Sequence, residues 1–116
     1  MLHYARQTTL AAVKGLSVAQ LDHLHDPASN SIGALLAHMA GVERGYHILI
    51  FEDRQASLTE LAAWEPALTL GDEGRRLLRG RALEHYLRDL SEARSLTLEA
   101  LATRDDDWLE IGRAHV

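Results

Sequence analysis

Residues 31–52, SIGALLAHMAGVERGYHILIFE from Ser31 to Glu52, decide how the rest of the chain is read. The stretch holds no proline and opens on Asn30 and Ser31, whose side chains accept a backbone N–H bond at a helix start. At 3.6 residues per turn, Ile32, Leu35, Leu36, Met39, Val42, Tyr46, Leu49 and Ile50 fall on one side. Ala34, Ala37, Ala40, Gly41 and Gly45 keep the remaining surface small, so another backbone can come close. Ile48 and Phe51 add apolar bulk to the back, and the second half is expected to be buried nearly all round. The pattern predicts the central helix of a bundle, with the large apolar stripe as its core face.

Three polar residues interrupt that helix. His38 lies on one flank of the stripe, in a row with Leu35, Val42 and Leu49. Glu43 lies inside the stripe, and His47 flanks it on the other side. An ionised carboxylate or an unpaired imidazole costs several kcal/mol to bury, so each requires a partner or a role.

Composition bounds the rest. The 116 residues hold one domain or part of one, and 47% hydrophobic with 25% charged residues describes an ordinary globular chain. A net charge of −5 argues against a nucleic-acid face, which needs a basic stripe. With Cys 0 there is no disulfide, thiolate nucleophile or thiolate ligand. No basic-then-apolar leader opens the chain and no apolar run is long enough to span a bilayer, so no membrane role is expected and the cytoplasm is the default.

Taken in order, residues Leu2 to about Gly15 form a first helix ended by Gly15. Ser17 to Leu24 is a short helix with Ser17 and Gln20 as a capping box, and His25 to Asn30 is a loop set by Pro27. After the central helix, Ser57 to Trp64 forms a short helix stopped near Pro66. Gly71 to Gly74 is a turn, and Arg75 to Arg81 is a solvated basic cluster. Arg81 to about Thr103 is a second long helix. Its seam is Leu83, Leu87, Leu90, Leu98 and Leu101, while Glu84, Arg88, Asp89, Glu92 and Arg94 face outward. It is expected to pack lengthwise on the central helix.

The final seven residues, Glu110 to Val116 (EIGRAHV), carry a separate expectation. One permitted back-translation, GAG ATC GGA AGA GCA CAC GTC, is the start of an adapter ligated to short-read sequencing libraries. The domain is therefore taken as residues 1–109 and the tail 110–116 as non-native. Two long helices and one short one also leave apolar seams that a fourth helix would close.

Three segments together carry a resemblance: Ser31 to Gly45 with His38 and Glu43, the helix from Leu83 to Leu101, and Asp105-Asp-Asp-Trp108-Leu109. The chain resembles the DinB-like superfamily, which includes thiol-dependent transferases. The resemblance implies an all-α, up-down-down-up four-helix bundle, here with its last helix missing. It also implies a divalent metal, zinc- or nickel-like, held by three histidines. His38 matches the first ligand. The family's other two form an H-x-x-x-H pair on the last helix, and no two of His3, His23, His25, His47, His85 and His115 have that spacing.

On spacing alone His38 is a satisfied packing residue, because metal sites need several convergent ligands; the resemblance makes it a ligand position. As a lone ligand in this piece it should bind metal weakly. Glu43 and His47 share a face at i, i+4 and form either an acid/base pair or a structural tie to a neighbouring arginine. Glu43 cannot join His38 around one ion, since they point about 140° apart on the wheel. His23 and His25 belong to a solvated loop. His85 is expected to be exposed, and Trp64 and Trp108 to be core or capping aromatics. The expected function is a metal-dependent transferase moving a low-molecular-weight thiol onto or off a small electrophile, with this piece itself inactive. The alternative is a non-catalytic helical module, with a homodimer possible through its exposed seam.

Overall fold

The computed structural model describes residues 2–104, and every described element is helical. Helix α1 (Leu2–Val13) gives way to Gly15, whose φ of +77° breaks the helix at its expected end. Helix α2 (Val18–Asp22) carries the expected capping box: Ser17 Oγ accepts from Gln20 N at 3.2 Å and Gln20 Oε1 from Ser17 N at 2.8 Å. Helix α3 (Ile32–Tyr46) is capped by Ser31, which accepts from Ala34 N at 2.9 Å. It widens into a π-turn over His47–Phe51, where Glu52 N bonds back five residues to His47 O. The expected central helix is thus present, and the all-α class holds.

The segment 53–80 is more helical than its sequence suggests. Helix α4 (Leu58–Thr69) runs through Pro66 rather than stopping there. Proline removes one N–H from the ladder, and this helix ends one turn later at Leu70, with φ +57°. Residues 71–74 are not a simple turn either, since they open helix α5 (Gly71–Leu77). Asp72 and Glu73 sit in its first turn and Arg75 and Arg76 in its last. Both i, i+3 ion pairs form, in the orientation that complements the helix dipole. Arg75 also donates to the carbonyls of Ala28 and Ser29, so it ties α5 to the loop before α3 instead of standing in solvent.

The largest correction concerns which face of α3 is buried. Of the eight large residues expected in the core, only Leu36 is buried. Ile32, Leu35, Met39, Tyr46, Leu49 and Ile50 are 36–58% exposed. The core face is the small one: Gly33, Ala34, Ala37, Ala40 and Gly41, continued by Leu36 and Ile48. The reason is close approach. A Cβ on Gly33 would stand 2.7 Å from Tyr86 Oη, so the ring of Tyr86 lies directly on the α3 backbone. A Cβ on Gly41 would meet Leu68 of α4 at 3.4 Å. Dense backbone contact recovers the dispersion that bulky side chains would otherwise supply.

Helix α6 (Leu83–Ala102) lies against α3 as expected, through Leu83, Tyr86, Leu90 and Ala93. Leu98, assigned to the seam, is 55% exposed instead. Arg94, assigned to solvent, turns inward to Glu43. Val13, Leu21 and Leu78 complete the core around Tyr86 and Leu90.

Candidate functional site

The last turn of a helix leaves its carbonyls without intrahelical partners. In α4, one of these is the carbonyl of Ala67, and it accepts a hydrogen bond from His38 Nδ1 at 2.8 Å. A carbonyl only accepts, so Nδ1 carries the proton and Nε2 of the neutral ring keeps its lone pair. This bond satisfies the helix end, as the packing reading requires. It also fixes the tautomer and tilt in the way that backbone carbonyls fix metal-ligating histidines. The bond leaves Nε2 as the lone-pair position of the ring. Among the described residues no three His, Asp or Glu side chains converge on one point.

Glu43 has a different task. Arg94 Nε donates to its Oε1 at 2.9 Å, and Arg6 donates to its Oε2 at 3.3 Å. Arg6 also donates to the carbonyl of Leu90 at 3.2 Å. One carboxylate on α3 thus gathers α1 and α6, and the structural tie is the reading that holds. His47 Nε2 lies 3.5 Å from Glu52 Oε2, and its buried Nδ1 finds no partner among the described residues. The acid/base pair of Glu43 with His47 is not formed.

The remaining histidines divide as follows. His23 and His25 are exposed, as a loop requires. His85 is half-buried rather than exposed, with Nε2 3.6 Å from Asp89 and 3.5 Å from Arg81. Trp108, His115 and the tail 110–116 lie outside the described residues.

Sequence reasoning missed a cleft of about 390 Å³ over the small face of α3. Its floor is Ala37, Ala40 and Gly41, its far wall Trp64 and Ala67 of α4, and its polar rim Arg44, Arg81 and Asp89. The volume falls at the lower end of small-molecule clefts. Arg44 and Trp64 also line a second hollow of about 200 Å³ that reaches His47, Glu52 and Glu60. The signal was available in the alanine and glycine spacing of α3, which was read as room for a backbone alone. Ala67 belongs to both features: its carbonyl holds His38 and its body lines the cleft.

Fold and site define a helical-bundle protein in which a histidine held by a backbone carbonyl stands near a small cleft over α3. A family model described as mycothiol-S-transferase matches residues 1–114, and the chain belongs to that DinB-like family. No curated protein matches the chain.

Proposed function

We propose that the chain serves a metal-dependent transfer of a low-molecular-weight thiol, mycothiol by the family's name, to or from a small electrophile. His38 Nε2 is one ligand of a zinc- or nickel-like ion in this reading. The observation that carries it is the Nδ1–Ala67 bond, which presents Nε2 as a lone-pair donor on a ring that cannot turn freely. A divalent ion, when bound, lowers the pKa of a thiol or water beside it, so that a nucleophile exists at neutral pH. The chain's own residues orient and exclude: α4 holds the ring through Ala67, while the Trp64 and Ala67 wall gives an apolar surface to a small organic molecule. Arg44, Arg81 and Asp89 supply polar contacts at the rim. No helix among the described residues is long and apolar enough to cross a membrane.

The second reading is a non-catalytic helical module. The bare apolar stripe of α3 favours it. Titration with cobalt(II), read by its visible absorption, separates the two. The transferase reading expects saturable binding, weak for the chain alone, that falls at least tenfold in His38→Ala with helical content unchanged. Equal affinity in the variant removes His38 from the site, and binding at neither protein favours the module.

A further inference from the structure

The two arginines on the rim of the cleft over α3 are not alike. Arg44 pairs with Glu92 at 3.2 Å. Arg81, half-buried, forms no ion pair among the described residues; its guanidinium meets the ring of His85 at 3.5 Å, the limit of a hydrogen bond. Asp89, the acid on that rim, approaches the same ring nitrogen at 3.6 Å. By contrast Arg6, Arg54, Arg75, Arg76 and Arg94 each hold a carboxylate. A half-buried guanidinium makes its strongest bonds to an anion, so Arg81 is a cation with its best partner still to come.

We infer that the cleft binds a small carboxylic acid with a flat apolar body, and that Arg81 is the residue that holds its carboxylate. This ligand class rests on the cleft reading of the proposed function and not on its metal, since His38 is not among the lining residues. The planar fork of a guanidinium matches a carboxylate through two parallel N–H donors. One uncommitted cation matches one negative charge. A second charge on the ligand would stand unpaired near Asp89, which disfavours a phosphate dianion. Behind the rim the cleft is apolar. The Trp64 indole offers a face on which a flat ring can stack, and Leu77 and Leu78 line the end towards Arg81 in sequence. Ala37, Ala40 and Gly41 let that ring approach the α3 backbone. At about 30 Å³ per non-hydrogen atom, the share of one water in the liquid, 390 Å³ admits roughly 13 such atoms.

Titration of the full chain with 1-naphthoate in EDTA, followed by nitrogen-15 NMR, tests this. The indole N–H of Trp64, assigned by comparison with Trp64→Phe, should shift saturably, with a dissociation constant on the order of 0.1–1 mM. Arg81→Gln should weaken binding about fivefold or more. Arg79→Gln removes the same charge from an exposed site outside the cleft lining and should change binding less than about twofold. Asp89→Asn should tighten it by about twofold. 1-Naphthalenemethanol, the same ring with an uncharged head, should bind about fivefold more weakly to the parent and no differently to Arg81→Gln. Circular dichroism confirms that the variants fold. A Trp64 resonance unmoved by millimolar 1-naphthoate overturns the inference. So does equal loss in Arg79→Gln and Arg81→Gln, or a parent that binds acid and alcohol alike. Cobalt binding without naphthoate binding would remove this ligand class alone, and naphthoate binding without cobalt binding would remove the metal alone.

Discussion

Gly33 and Gly45 lie on the same helix, and replacing each with alanine should move stability in opposite directions. Alanine in a helix interior is favoured over glycine by about 1 kcal/mol, because the unfolded chain loses less backbone freedom. At Gly45 nothing lies within 4 Å of the new methyl, so Gly45→Ala should gain that full amount. At Gly33 the methyl would stand 2.7 Å from Tyr86 Oη, 2.8 Å from Cζ and 3.0 Å from Cε2. Tyr86 is fully buried, so its ring cannot swing into solvent and the two helices must part instead. Overpacking of this kind costs about 1–3 kcal/mol, and more when a backbone has to shift. Because the backbone must shift here, the upper part of that range, about 2–3 kcal/mol, applies; less the propensity gain, Gly33→Ala should be destabilised by about 1–2 kcal/mol. Differential scanning calorimetry at matched concentration should show Tm falling by about 4–8 °C for Gly33→Ala and rising by about 4 °C for Gly45→Ala. Tyr86→Phe in the Gly33→Ala background should recover only part of the loss, because Cζ still blocks the site. A Gly33→Ala protein as stable as the parent would mean that Tyr86 does not rest on the α3 backbone.

Two further outcomes follow from the ion pairs. Glu43→Ala leaves Arg6 and Arg94 without their acid, on side chains only 14% and 19% exposed, and should cost roughly 2–3 kcal/mol in urea denaturation, between the surface and buried limits. A loss below about 0.5 kcal/mol would demote the cluster to a surface contact. The hydrogen bond from Arg54, joined by the Ser57 backbone N–H, lowers the Glu60 carboxyl from 4.5 to about 2. Its folded pKa lies below its unfolded value, so the contribution is complete above the ordinary carboxyl range and is lost as pH falls through that window. Thermal melts from pH 6 down to pH 2 should show a fall in that interval that is shallower in Glu60→Gln; equal slopes would count against the capping pair.

Much of the backbone was legible in the sequence, and much of the packing was not. Ser17 with Gln20, Ser31 and Gly15 each act within a few residues, and each ended or began a helix where expected. Pro66 and the Gly71–Gly74 pair misled because an intact helix needs only most of its hydrogen bonds, and because Asp72–Arg75 and Glu73–Arg76 support a turn that two glycines weaken. The buried face of α3 was misjudged for a different reason. Periodicity locates an apolar stripe but does not say whether bulk or closeness wins the core, and Tyr86 decided for closeness from 53 residues away. For the site, the resemblance singled out His38, while its partner Ala67 is a backbone carbonyl and leaves no trace in side-chain chemistry. The same limit hid Arg94 behind an outward-facing pattern, although a tie from Glu43 to some arginine was among the readings.

The tautomer and reach of the His38 imidazole decide whether it can hold an ion, and nitrogen-15 NMR of the histidine rings reads both. Spectra of the chain at pH 7.5, compared with His38→Gln for assignment, should show His38 protonated at Nδ1 with Nε2 bare. Added zinc should then shift that Nε2 resonance first among the histidines. A ring protonated at Nε2, or a His38 signal unmoved while zinc shifts another histidine, would contradict the proposed ligand.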